Sequence, residues 1–147
     1  MVNPNVQGKT YPATDPYLVG REKIREFAHA VKSTSPVNLD VFAAQAAGYS
    51  DLVAPTTFAV VIQERSLATV LADPEAAIDF SRVVHGDQRF VYVRPIVAGD
   101  ELTSELTVAS VKSLGGHSMV TFETKIFDVD KALVCTAIST LVVRGDE

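Results

Sequence analysis

The sequence has one cysteine, Cys135, and no tryptophan. A single thiol excludes an internal disulfide framework and any zinc site built from several cysteines. Basic residues are also in deficit, with 13 Lys plus Arg against 18 Asp plus Glu and a net charge of −5. They are scattered along the chain, so neither the overall charge nor a local patch suits a nucleic-acid backbone. No run of about 18 apolar residues occurs, which argues against a transmembrane helix. The opening stretch MVNPNVQGKTYPATDPY lacks the apolar segment of a secretory signal, and a cytoplasmic location is expected. Glycine-rich phosphate loops, nucleophile motifs and metal-ligand spacings are missing too. Neither a metal nor a cofactor is expected.

What is present is apolar: 47% of the 147 residues are hydrophobic and only 21% are charged, a composition that collapses around a core. The length predicts one domain over residues 1–147, with residues 1–15, which include Pro4 and Pro12, as an extended N-terminal arm. Ile24, Phe27, Ala28 and Val31 recur at i, i+3, i+4 and i+7, which predicts a helix from Gly20 to about Lys32. A Ser/Thr/Pro turn follows, then an Ala-rich helix from about Leu39 to Ala47, with Gly48 placed to end it. The segment APTTFAVVIQERSLATVLADP, 54–74, predicts a longer helix that starts at Pro55, is capped by Thr56 or Thr57 and closes at Pro74. Phe58 to Ile62 are apolar on every side of that helix, the pattern of a buried element.

Beyond about residue 90 the period falls to two. Phe90 and Tyr92, then Leu102, Leu106 and Val108, then Val120, Phe122 and Ile126 each mark one face of a strand. Gly99-Asp100, Gly115-Gly116 and Asp128–Lys131 are turn signals between strands. Helices first and antiparallel strands after, with one helix too apolar for the surface, specify an α+β fold: a curved antiparallel sheet wrapped around a long central helix.

Candidates for chemistry are few. His29 sits on the edge of a helix and His117 in a hairpin, where solvated residues are the rule. In RVVHGDQRF, His85 and Asp87 flank a glycine at the start of a strand, and an imidazole beside a carboxylate can act as a base. A histidine bonded to a neighbouring backbone group is the commoner arrangement for such a pattern. Cys135 lies in an apolar strand and is expected to pack as a small hydrophobe.

Two stretches carry a family likeness. FVYVRPIVAGDELTSELTVASV (90–111) resembles the strand-turn-strand of MaoC-like hydratases and dehydratases. LVGREKIREFAHAV (18–31) with AAGYSDLVAPTTF (46–58) resembles the HadA-like branch of that family, the HadA/HadC type. The resemblance runs from about Gly8 to Arg144 and implies a hot-dog fold. Catalytic members of the family carry Asp-x-Asn-Pro-x-His in the loop before the second helix, the Asp and His forming an acid–base pair. Backbone N–H groups at the start of their central helix polarise the thioester carbonyl. Aligned on Pro36, this sequence has Ser33 in place of the Asp and Asn38 in place of the His, and neither moves a proton at neutral pH. At the helix start, Ala54-Pro55-Thr56-Thr57 stands where catalytic members have a glycine-containing turn, and Pro55 donates no N–H.

The resemblance therefore implies a non-catalytic, acyl-chain-binding subunit of a heteromeric (3R)-hydroxyacyl dehydratase or hydratase. Its ligand would be a long-chain 3-hydroxyacyl or enoyl thioester on a carrier protein or CoA. Its partner would be a catalytic MaoC-like subunit. Ser33, Pro36, Asn38, Pro55, Thr56, Thr57 and Phe58 are the expected substrate-binding positions. The alternatives are a self-sufficient hydratase that uses His85 and Asp87, and a homodimeric acyl-thioester binding module without turnover. A thioesterase would need a carboxylate near the thioester, and Asp40 is the nearby candidate.

Overall fold

Alternation carries through the second half of the chain, and the fold follows from it. The computed structural model describes residues 1–146. A two-residue strand β1 (Tyr17–Leu18) leads into α1 (Arg21–Ala30), α2 (Val41–Ala46) and α3 (Ala59–Leu71). Four long strands follow: β2 (Val83–Tyr92), β3 (Glu101–Leu114), β4 (His117–Phe127) and β5 (Leu133–Val143). They form one antiparallel sheet in the order β1-β3-β4-β5-β2. Its inner face buries Leu102, Leu106, Val108, Val120, Phe122, Ile126 and Ala137. The other face turns Glu105, Lys125 and Arg89 to water.

The sheet curls half around α3, which at 13 residues is about 20 Å long. Ile62, Gln63, Ser66, Leu67 and Val70 of the helix are buried against it, whereas Glu64, Arg65 and Thr69 stay exposed on the far side. The helix starts at Ala59, later than the sequence suggests, because residues 56–58 form a separate turn after Pro55. The edge strand starts earlier than expected, at Val83, and a bulge between His85 and Asp87 at Gly86 breaks its alternation.

The core has two apolar clusters. One gathers Ile24, Leu52, Phe58, Ile62, Leu102 and Ile126 at the start of α3. The other gathers Val6, Tyr11, Leu67, Val70, Leu106 and Phe122 at its end. A belt of buried polar side chains runs between them. Ser104 of β3, Thr124 of β4 and Ser139 of β5 cross the sheet on a diagonal that ends at Gln88 of β2, which pairs with Ser139. Ser66 and Gln63 meet the belt from α3: Ser66 Oγ lies 2.6 Å from Ser104 Oγ. Thr124 Oγ1 has no hydrogen-bond partner.

The N-terminal arm is more structured than an extended tail. It makes a short 3-10 turn at Pro4–Val6 and then runs beside β3. Gly8 N donates to Val108 O at 2.7 Å and Tyr11 N to Leu106 O at 2.8 Å. Tyr11 is 5% exposed; its hydroxyl donates to Asp73 Oδ2 at 2.7 Å, and Lys9 Nζ bonds the same oxygen at 2.8 Å.

Candidate functional site

Helix α1 ends with two backbone bonds, Lys32 N to His29 O at 3.1 Å and Ser33 N to Ala28 O at 2.8 Å. This Schellman closure holds Lys32 in the left-handed region at φ 58°, a conformation usually given to glycine, and so fixes Ser33 just past the helix end. Val31, expected on the apolar face, is instead 47% exposed because the chain is already turning away. Pro36 then opens a 3-10 turn, Pro36–Asn38, which brings Asn38 back towards Ser33. Ser33 Oγ donates to Asn38 Oδ1 at 2.7 Å, and Asn38 Nδ2 donates to Val53 O at 2.6 Å. Asn38 is 6% exposed. The two loop positions are thus brought together and tied to the segment that leads into α3. A hydroxyl and an amide form the pair, so it can hold a geometry but has no proton to exchange near neutral pH.

Asp40 is the N-cap of α2 and accepts from Phe42 N at 3.1 Å, a structural use of its carboxylate. Gly48, at φ 97°, ends α2 as expected: Gly48 N bonds Gln45 O and Tyr49 N bonds Ala44 O, both at 3.0 Å.

The start of α3 departs from the expected capping. Thr56 and Thr57 are exposed, and no side chain of the N-cap residue bonds the helix start. Phe58 N bonds Pro55 O at 2.8 Å instead. The hydroxyl of Tyr92 occupies the helix mouth, where it donates to Thr56 O at 2.6 Å. Burial pushes this phenol well above its ordinary range. Phe58 itself is fully buried, edge-on to Phe27 with ring centroids 5.3 Å apart, so it supports the site from beneath. Pro55 is half-buried and Pro36 is exposed.

An apolar cleft of about 340 Å³ opens beside this mouth, walled by Tyr49, Val53 and Thr56 on one side and by Tyr92, Val93 and Ile96 on the other. Arg94 lies on its rim. Its guanidinium grips Asp100 in two bonds of 2.8 and 3.1 Å, with Asp128 at 3.6 Å. Asp100 Oδ2 also accepts from Val97 N at 2.9 Å, which explains the Arg-Pro-x-x-x-Gly-Asp spacing as a charge-closed turn. Hydrogen bonding to Asp100, above all, holds the Arg94 charge in place.

His85 and Asp87 lie elsewhere, exposed on the edge strand at either side of the bulge. The His85 Nε2 contact is to Gln88 Oε1 at 3.2 Å. Cys135 is buried opposite Tyr92, and burial raises its thiol to about 11. The sequence marks Tyr92 only as a strand-face residue, and no local signal singles out Gln63 or Gln88.

Comparison with known proteins agrees with this architecture. The family model described as "FAS1-like, dehydratase domain region" matches residues 5–137. The UPF0336 protein Lxx02810 of Leifsonia xyli subsp. xyli is 66% identical over 146 residues, covering 99% of this chain and 98% of its own. A chain in the C-terminally truncated HadBC (3R-hydroxyacyl-ACP dehydratase) complex from Mycobacterium tuberculosis superposes with a TM-score of 0.83 at 34% identity, over 96% of this chain and 99% of that one. A MaoC-like dehydratase gives a TM-score of 0.87 at 32% identity; there this chain spans 42% of the longer protein. The curled sheet around α3 is thus that of a hot-dog protein, and the chain belongs to the FAS1-like dehydratase-region family of MaoC-like dehydratases.

Proposed function

We propose that this chain is a non-catalytic subunit of a heteromeric (3R)-hydroxyacyl-thioester dehydratase or hydratase, binding the acyl chain while a MaoC-like partner supplies the acid and base. The observation that carries the reading is the 2.7 Å Ser33–Asn38 contact at the loop where the family's proton-moving pair belongs. The position is built and tied down, yet neither group titrates near neutrality. The helix mouth supports the same view, because Pro55 there has no N–H to offer a carbonyl and the Tyr92 hydroxyl stands at the entrance, bonded to Thr56 O. The similarity to a chain of the HadBC complex supports a partner subunit. The ligand would be a 3-hydroxyacyl or enoyl thioester, its carrier a protein or CoA, with the tail in the apolar cleft.

The test is spectrophotometric hydration of an enoyl thioester by the purified chain, alone and co-expressed with a MaoC-like partner. The isolated chain should be inactive and the complex active, with a chain-length preference that the partner alone lacks. Brisk turnover by the isolated chain, or a partner indifferent to its presence, would refute the reading. As a companion, Ser33→Asp with Asn38→His should give the isolated chain measurable hydratase activity.

A second reading, a homodimeric acyl-thioester binding module, is favoured by one observation: β2 lies at the sheet edge with its outward backbone unpaired among the described residues. An open edge invites a second copy as readily as a different subunit. A stable homodimer retaining an acyl ligand in the presence of the candidate partner would decide for it.

A further inference from the structure

A second cleft, of about 560 Å³, opens at the other end of the sheet, where β2 and β4 begin and β5 ends. Val83 and Tyr92 are the two ends of β2, roughly 30 Å apart, so this cleft is remote from the helix mouth. Its lining is Arg82, His117, Arg144, Gly145 and Asp146. Two guanidinium groups and an imidazole thus share one cleft in a chain whose net charge is −5.

Backbone geometry holds the lining in place. Arg144 N donates to Arg82 O at 3.0 Å and extends the β2–β5 ladder one pair beyond Val83 and Val143. Gly145 then passes the Gly115-Gly116 turn so closely that a Cβ on it would overlap Gly116 O. Its N–H donates to His117 Nδ1 at 3.1 Å, which leaves the ring proton on Nε2 as a donor. Arg82 donates to Gly145 O at 2.8 Å through Nη1 and meets Asp146 Oδ1 at 2.9 Å through Nη2. Asp79 stands 3.8 Å from Arg82 Nε, but its carboxylate is committed to the N–H and hydroxyl of Ser81 at 3.0 and 2.6 Å. Arg144 Nε lies 3.4 Å from Arg82 O, and the two terminal nitrogens of Arg144 have no partner among the described residues.

We propose that this cleft binds a dianionic phosphate group, that of a monoester or the free ion, and that Asp146 is the chain's own stand-in for it. The Asp146 carboxylate demonstrates that an oxyanion fits against Arg82, and at 94% side-chain exposure that contact is a weak one. A competing anion therefore displaces it at little cost. Two guanidinium forks and an imidazole N–H present more donors than the two oxygens of a carboxylate can use. The three terminal oxygens and double charge of a phosphate match them. The dehydratase reading uses none of these residues, so the site stands or falls separately from it.

The experiment titrates inorganic phosphate, coenzyme A and dephospho-coenzyme A, which lacks the terminal monoester, into the full chain at constant ionic strength. Calorimetry and the amide NMR signals of His117 and Gly145 report binding. Phosphate should bind saturably, and coenzyme A more tightly than its dephospho form. Arg144→Gln should weaken both about tenfold, through loss of a charge-assisted bond. Asp146→Asn should strengthen both by up to about fivefold, because the competitor is gone. Circular dichroism melts establish that each variant is folded. Equal binding of the two coenzymes, with phosphate binding still weakened by Arg144→Gln, supports the site with the free ion as its ligand. No saturable phosphate binding, or an affinity that neither substitution changes, would overturn the proposal.

Discussion

The two edges of the sheet are treated differently. Beyond β3, the edge is covered by β1 and by the arm, whose backbone bonds to Leu106 and Val108 and whose Lys9 and Tyr11 clamp Asp73 at the end of α3. Beyond β2, no strand follows among the described residues, and Val84, Val91 and Val93 are 50%, 56% and 67% exposed there and just beyond. Unpaired edges promote unwanted association, and proteins usually blunt them. This chain uses its own first residues to close one edge and leaves the other available, so the difference separates what the fold needs from what an assembly can use.

The largest effect should come from the closed edge. Tyr11→Ala removes a buried ring together with the Asp73 bond, and an unfolding titration should show a loss of about 3 kcal/mol. At the open edge, Val91→Lys should leave that stability within about 0.5 kcal/mol, while dissociating whichever subunit or second copy pairs there, as read by light scattering. Loss of fold stability from the second substitution without change in assembly would reverse the comparison.

A smaller effect is expected from pH. The Lys9 bond, with help from Tyr11, lowers the Asp73 carboxyl to about 2. A carboxylate with a depressed folded value stabilises the protein above its unfolded value, and that contribution fades as pH falls from about 4 towards 2. Asp73→Asn should flatten the acid limb of a stability-versus-pH curve and lower the plateau above it. A wild-type acid limb that survives unchanged in the variant would remove Asp73 from the clamp. The smallest change lies midway between the edges: Thr124→Val discards a buried hydroxyl without a partner and should raise stability by about 1 kcal/mol in thermal melts.

How much of this was legible depended on whether the cause was local. The strand alternation, the Gly48 helix end and the turns at Gly99-Asp100 and Gly115-Gly116 are set by residues within a few positions, and they read directly. The Ser33–Asn38 contact was also within reach, because both side chains belong to one short loop. The misplaced boundaries have distant causes. Helix α3 starts at Ala59 with Tyr92, 33 positions further along, at its mouth, so Thr56 and Thr57 are not its caps. Strand β2 begins at Val83 because β5 offers it a partner there, despite a bulge that erases the periodic signal. The polar belt needs the register of four strands at once, which no window of sequence contains.

Tyr92 is mounted on the rim strand while its hydroxyl grips the turn that leads into the central helix. That one bond ties the outermost strand of the sheet to the entrance of the helix it wraps, so neither can shift without the other.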